Sequence, residues 1–344
     1  MRIPIGLCIV LTIAAMAQPA ATPKSNEKPK KGDPKTVAPA VPKLGIKTPG
    51  VQIPFASLKS EAEFPVAPTW MVFTDAPLVP NPDKDSFDKI DLKANKMGDS
   101  LSGLSKPCGG AITAFTSLWV PTCGDKTLSR FDTKTGKVTK KLEIGAGVVA
   151  PSVAATADSV WAFTDDKTTL SRIDPVTNLV VAELRIPADC TDLTFAETSL
   201  WVVCPAENRV LRINPQNITV EKHIEVSAGP KMLVVGEGSV WVLCEKEGKV
   251  DRIDPKTNKI SKTIELGAPA TGGGIADGLG SLWVTMQGFP ITRIDTTAEK
   301  VVQQFYGEGG GAIFVGSGAL WLTNLNTKTL WRIDPKRVAA TLAE

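Results

Sequence analysis

Apolar residues in this chain fall into short runs that alternate with polar ones and are punctuated by Gly, Asn, Asp and Pro; no long stretch carries them at helical spacing. Alternation of this kind predicts strands with one buried face. The runs also recur. SLWV, SVWA, SLWV, SVWV, SLWV and ALWL place tryptophans at 119, 161, 201, 241, 283 and 321, in steps of 42, 40, 40, 42 and 38 residues. An Arg-x-Asp or Arg-x-Asn element starts eleven residues after five of them, at Arg130, Arg172, Arg212, Arg252 and Arg332, and ten residues after Trp283, at Arg293. Upstream, TWMVF around Trp70 matches the tryptophan run and Lys89-Ile90-Asp91 the second element; the gap of 19 predicts an insertion of about eight residues in loop 75–86. Seven units of about 40 residues, each with four strand-sized pieces, predict an all-β fold, a seven-bladed β-propeller of four-stranded antiparallel blades. In the fifth unit the strands are expected near residues 232–235, 239–243, 249–253 and 260–266.

The repeated pieces have mechanical reasons. Side chains alternate faces along a strand, so Trp241 points one way and Val240 and Val242 the other. One large ring per blade at a fixed position suits the packing of sheet on sheet. Gly236-Glu237-Gly238-Ser239 ahead of Val240 forms a tight hairpin turn. In the Asp-Pro-x-Thr-Asn turns, Asp254 is placed to accept from backbone amides ahead of it, Pro255 fixes φ, and Asn258 or Gly136 tolerates a left-handed backbone. Arg252 and Asp254 share a strand face, suited to a repeated ion pair or capping contact. A residue required in every blade serves the architecture, whereas a ligand site should break the symmetry. By that test the tryptophans, the Arg-Ile-Asp elements and the Asp-Pro turns are structural.

The stretch SVWVL…GKVDRIDPKTNKISKTIELG resembles the forty-residue repeat of the YVTN and streptogramin-lyase-like (virginiamycin B lyase-like) propeller families, over about residues 60–344. The resemblance implies the fold; the repeat serves enzymes, electron-transfer partners and binding proteins alike. Family members that act as lyases open a cyclic depsipeptide with a histidine base beside acidic metal ligands on the top face. This chain has one histidine, His223, expected in a fourth strand at a blade's outer edge, so those catalytic residues are not carried over; a lyase here would need another base, such as Glu245 or Lys231. Asp132-Thr133-Lys134-Thr135-Gly136-Lys137 resembles part of the docking motif of quinone-cofactor propellers, without the tryptophan expected after it.

The N-terminus bears on compartment. Met1-Arg2, an apolar run over 3–15 and Ala15-Met16-Ala17 have the layout of a secretory signal peptide, residues 1–17, too short for a membrane span. Residues 18–57, rich in Pro, Lys and Ala, predict a disordered tether, and 58–344 the propeller domain. Residues 51–344 hold 31 basic and 34 acidic residues, so the chain's net +3 belongs to its tail. A slightly acidic body disfavours nucleic acid.

In a propeller the connections from fourth strand to next first, and from second to third, share one face around the channel mouth, where ligands usually bind. Asp166, Asp192, Lys231, Glu245, Gln287 and Asn324 are the candidate binding residues there, with loop 75–86. The cysteines map to the same face. Cys108 and Cys190 precede their blade's tryptophan by 11 residues, while Cys123 follows by four and Cys204 and Cys244 by three. Antiparallel first and second strands bring such offsets together, predicting disulfides Cys108–Cys123 and Cys190–Cys204 with Cys244 free, at Cα separations of roughly 4.4–6.8 Å. No spacing matches a metal site, and no cofactor is expected. The combined expectation is a secreted or periplasmic monomer, without a membrane span once the signal is cleaved. It acts as a non-catalytic binding or scaffold protein for a protein, peptide or glycan partner in the cell envelope. A metal-assisted carbon–oxygen lyase and an electron-transfer or quinoprotein subunit are the alternatives.

Overall fold

Turns this short oblige consecutive strands to pair antiparallel, and four in succession make one sheet. The computed structural model describes residues 44–146, 152–165 and 168–341; the expected signal peptide and residues 18–43 of the tether lie outside them. Two short strands come first, β1 (Gln52–Pro54) and β2 (Ala62–Phe64). Blade 1 holds β3 (Val72–Phe73), β4 (Pro77–Asn81), β5 (Ser86–Asp91) and β6 (Lys96–Ser102). Blade 2 holds β7 (Ile112–Ala114), β8 (Ser117–Thr122), β9 (Thr127–Asp132) and β10 (Lys137–Leu142). Blade 3 holds β11 (Val153–Ala155), β12 (Val160–Thr164), β13 (Thr169–Asp174) and β14 (Leu179–Arg185). Blade 4 holds β15 (Asp192–Ala196), β16 (Ser199–Cys204), β17 (Arg209–Asn214) and β18 (Thr219–Glu225). Blade 5 holds β19 (Pro230–Gly236), β20 (Ser239–Cys244), β21 (Lys249–Asp254) and β22 (Lys259–Glu265). Blade 6 holds β23 (Gly274–Gly278), β24 (Ser281–Met286), β25 (Phe289–Asp295) and β26 (Lys300–Tyr306). Blade 7 supplies only β27 (Gly310–Gly316), β28 (Ala319–Asn324) and β29 (Thr329–Ile333), and its outer strand is β2. The molecule is a seven-bladed β-propeller.

The two ends of the ring meet in blade 7, where β2 runs antiparallel to β29 with Ala62 opposite Arg332 and Phe64 opposite Leu330. β1 lies as a fifth strand on blade 6, parallel to β26, with Gln52 opposite Gln304. This departs from the expected domain start at residue 58. Val51, Ile53 and Phe55, spaced at strand period, are all buried, so their apolar side chains hold the end of the expected tether on the ring.

Within each of blades 2 to 7 the tryptophan of the second strand stands opposite the arginine of the third. Each indole is buried, and in blades 2 to 6 it packs on the residues that flank the next blade's tryptophan: Trp201 on Val240 and Val242, Trp241 on Leu282 and Val284. The guanidinium lies over the ring in blades 2 to 6, 5.0 to 5.9 Å from its centre. The arginine Nε donates to the serine that opens the second strand, as Arg130 does to Ser117 at 2.8 Å. Its Nη1 then crosses to the next blade's turn: Arg130 to Pro175 O and Asn178 Oδ1, Arg212 to Pro255 O and Asn258 Oδ1, Arg332 to Leu92 O and Asn95 Oδ1. In these blades, and in blade 5, where Arg252 pairs with Glu299, the repeated arginine is a strut between blades; Arg172 and Arg293 donate within their own blade, to Asp158 Oδ2 and Gln303 Oε1. The aspartate two residues on caps its own turn instead. Asp254 Oδ1 accepts from Lys256 N at 2.8 Å. Such amide contacts hold Asp91, Asp132, Asp174, Asp254 and Asp295 below the ordinary carboxylate range. The segment from Asp132 to Lys137 is one of these turns, which accounts for its resemblance to a docking motif.

Blade 1 corrects the expected alignment. Leu78, not Trp70, faces Lys89. That restores the eleven-residue interval, so loop 75–86 holds no insertion, and most of it is β4 and the turns flanking it. Trp70 precedes β3, meets Phe87 edge-on at 5.6 Å, and shares a core with Leu78, Leu118 and Val120. A leucine leaves space where other blades place an indole, and Trp70 fills it from outside the strand.

Candidate functional site

First strands pack edge to edge around the axis, β19 against β23 and β23 against β27. They surround a cavity of about 800 Å³. Met71, Phe73, Met232, Ile275, Ile313 and Phe314 give it an apolar wall. Where first strands begin, glycines line the mouth: Gly109, Gly110, Gly272, Gly273 and Gly311. At Gly273 a Cβ would stand 2.2 Å from Thr285 O, so only glycine lets the backbone pass.

Among the described residues, two charged ones line this wall. Lys231, at the mouth, has Nζ 3.5 Å from Glu245 Oε1, both side chains partly exposed; the same carboxylate oxygen accepts from Gly272 N. Asp277 lies at the far end of β23, half-buried. Burial first, and the Glu237 carboxylate second, push its carboxyl above the ordinary value.

The other candidates spread out. Asp166 lies outside the described residues. Asp192 is wholly buried at the start of β15, where its Oδ2 accepts from Leu233 N of blade 5 at 2.7 Å. Burial raises its carboxyl to about 7, against the lowering effect of that amide. Gln287 is exposed in the turn between β24 and β25. Asn324 is buried, its Oδ1 accepting from Asn326 N and Thr327 N at 3.1 and 3.3 Å. The structure therefore brings Lys231 and Glu245 together at the mouth, gives Asp192 and Asn324 backbone-holding contacts, and leaves Gln287 apart.

Both expected disulfides are present. Cys108–Cys123 and Cys190–Cys204 have Cα separations of 6.0 and 4.1 Å, the second just under the expected window. Cys244 is free and buried, 3.7 Å from Asp251 Oδ2, and burial pushes its thiol far above the ordinary value. Two disulfides suit an oxidising, extracytoplasmic environment. Among the described residues no helix is long and apolar enough to cross a membrane, and no group of three or more His, Cys, Asp or Glu could hold a metal.

No protein-family model matches this chain, and no curated protein sequence does. Solved structures match in shape. A streptogramin B lyase superposes with a TM-score of 0.63 at 15% identity, covering 77% of this chain and 92% of that one. Selenomethionine-substituted virginiamycin B lyase from Staphylococcus aureus gives 0.63 at 15% identity, covering 78% and 94%. A catalytically inactive histidine-to-alanine variant of the latter enzyme, with quinupristin, gives 0.62 at 16%, covering 77% and 94%. The fold is that of the streptogramin lyases. At this identity the likeness is one of fold alone. Within that lyase-like propeller, His223 stands on β18, opposite Leu211 and exposed to solvent. Met71 and the glycines of the mouth carry no sequence signal for a site, and Trp70 reads as part of the repeat instead. The eleven-residue interval counted back from Lys89 would have freed Trp70 from the repeat.

Proposed function

We propose that this protein is a non-catalytic binding protein of the cell envelope, secreted or periplasmic, that takes a peptide-like partner into the top-face mouth of its channel. The observation that carries the reading is the cavity itself. It is large enough for a drug-sized ligand or a few residues of a peptide, apolar along its wall, and carries one ion-paired lysine at its rim, the profile of a binding pocket. The chain's one histidine is on the outer edge, away from that mouth, whereas the inactive lyase variant with quinupristin carries a histidine replacement. That contrast favours binding over the lyase chemistry of the similarly folded enzymes. Lys231 and Glu245 would orient a polar partner group, Gln287 would meet a larger partner, and Met232 and Phe314 would take its apolar part.

The test has two arms. Quinupristin incubated with the purified protein and a divalent metal should keep its mass and its ring; ring opening would establish a lyase. Capture of an envelope partner should be lost in a Met232→Glu/Phe314→Asp double variant that keeps its thermal midpoint. Capture that survives there, and fails only on substitution of the opposite face, would move the site.

A further inference from the structure

The outer rim of blade 3 also breaks the symmetry of the ring. The first residue of the fourth strand is Lys96 in blade 1, Lys137 in blade 2, Lys259 in blade 5 and Lys300 in blade 6, each opposite the turn-capping aspartate. In blade 4 it is the polar Thr219, opposite Asn214, and in blade 3 the apolar Leu179, opposite Asp174. The turn before it holds Val176 where blades 1, 2 and 5 hold Lys93, Lys134 and Lys256. Val180 and Val181 follow. The exposures of Val176, Leu179 and Val181 are 85%, 63% and 54%, so a continuous apolar corner faces solvent.

Blade 6 shows what such a corner does in this molecule. By register, Val301 and Val302 are the counterparts of Val180 and Val181. There the chain's own N-terminal segment folds over the outer strand, β1 pairing with β26 beyond the two valines and Ile46, Pro49 and Val51 facing them across one groove. Val301 is buried as a result. Among the described residues nothing covers the equivalent pair on blade 3.

We propose that the blade 3 corner is a docking surface for a second copy of this chain, corner to corner about a two-fold axis. A two-fold axis sets each patch against its own image, so apolar Leu179, Val180 and Val181 would meet the same three residues. On β6, β10 and β22 the same meeting would bring lysine near lysine, the usual guard on an exposed strand edge. β14 has no lysine, and its charged residues, Glu183 and Arg185, are of opposite sign. The patch is small beside the roughly 1,200 Å² of a stable complex, so the dimer exchanges rapidly and dissociates in the micromolar range or above.

Sedimentation equilibrium of the full chain, from low micromolar to millimolar concentration, tests this. The average mass should climb from monomer toward dimer, and amide exchange in β14 should slow with concentration. Val181→Lys puts a positive charge into the patch at an exposed position outside the paired ladder. It should weaken association at least about ten-fold with an unchanged thermal midpoint. A monomer at every concentration would overturn the proposal. So would a dimer unaffected by V181K, or protection that rises on another strand.

Discussion

Asparagine at the fifth position of a third-to-fourth strand turn serves two ends at once. Asn178 and Asn258 both take φ of 58°, in the left-handed region, and both accept from the arginine of the preceding blade, Arg130 and Arg212. Ile218 occupies the same position at φ 57°. A β-branched residue is strained there, and it offers no acceptor. Arg172, the arginine that would reach it, donates instead to Asp158 in its own blade at 2.9 Å. Ile218→Asn relieves the strain and supplies the acceptor, at the cost of a partly buried apolar contact. The expected net gain is about 1 kcal/mol, a rise of roughly 2–4 °C in the thermal midpoint. A fall in the midpoint would mean that the packing of Ile218 outweighs its strain. Asp192 makes a second prediction at this scale. Its carboxyl titrates near 7 in the folded protein, from an ordinary 3.8, so between those values the native state holds a proton that the unfolded state has lost. Stability from this group therefore falls as pH rises from about 4 to about 7, by a few kcal/mol at most, and is level above. Asp192→Asn keeps an acceptor for Leu233 N and removes the titration. Urea midpoints across that window should fall less steeply in the variant; parallel curves would show that Asp192 ionises normally.

Elements were legible in the sequence in proportion to how strictly they repeat. Second and third strands carry a tryptophan and an arginine at fixed spacing, because the rings and most of the arginines bridge to the next blade, and those strands were placed correctly. First strands were harder. β7 and β11 are three residues each, Ile-Thr-Ala and Val-Ala-Ala, and the first strands that do line the channel need only apolar side chains such as Met232, Ile275 and Ile313. That weak demand is why the wall of the candidate site was not read from sequence, while the polar residues of the mouth were. Trp70 misled for a physical reason: it does the space-filling work of a blade tryptophan from a position ahead of the first strand, so its chemistry fits the repeat and its register does not. β1 and β2 are also three residues each, and what fixes them is a partner strand some 250 residues away. The disulfides were legible because they obey the antiparallel geometry of first and second strands. Each closes a short loop, of sequence separation 15 and 14, worth about 3 kcal/mol in the chain-entropy account, and each staples two connections on the channel-mouth face.

A closed ring differs from a row of sheets in having no end blade with a bare face. Here closure rests on β2, and within β2 on Phe64. Its ring is 1% exposed, lies 5.8 Å from that of Trp321, and shares a core with Val79 and Ile90 of blade 1. One side chain therefore joins the last blade to the first. Phe64→Ala should cost roughly 3–5 kcal/mol, as for any buried aromatic cut back to a methyl. Its position predicts something more specific than that loss. With the seam loosened, blades 7 and 1 can part before the rest of the ring unfolds, so the transition should cease to be two-state. Urea unfolding followed by tryptophan fluorescence and by far-ultraviolet circular dichroism should coincide in the wild type and separate in F64A. Leu243→Ala, a truncation of similar burial inside blade 5, should lower stability while leaving the two probes coincident. If both variants give coincident curves, the ring is held by its disulfides and arginine struts without need of the seam.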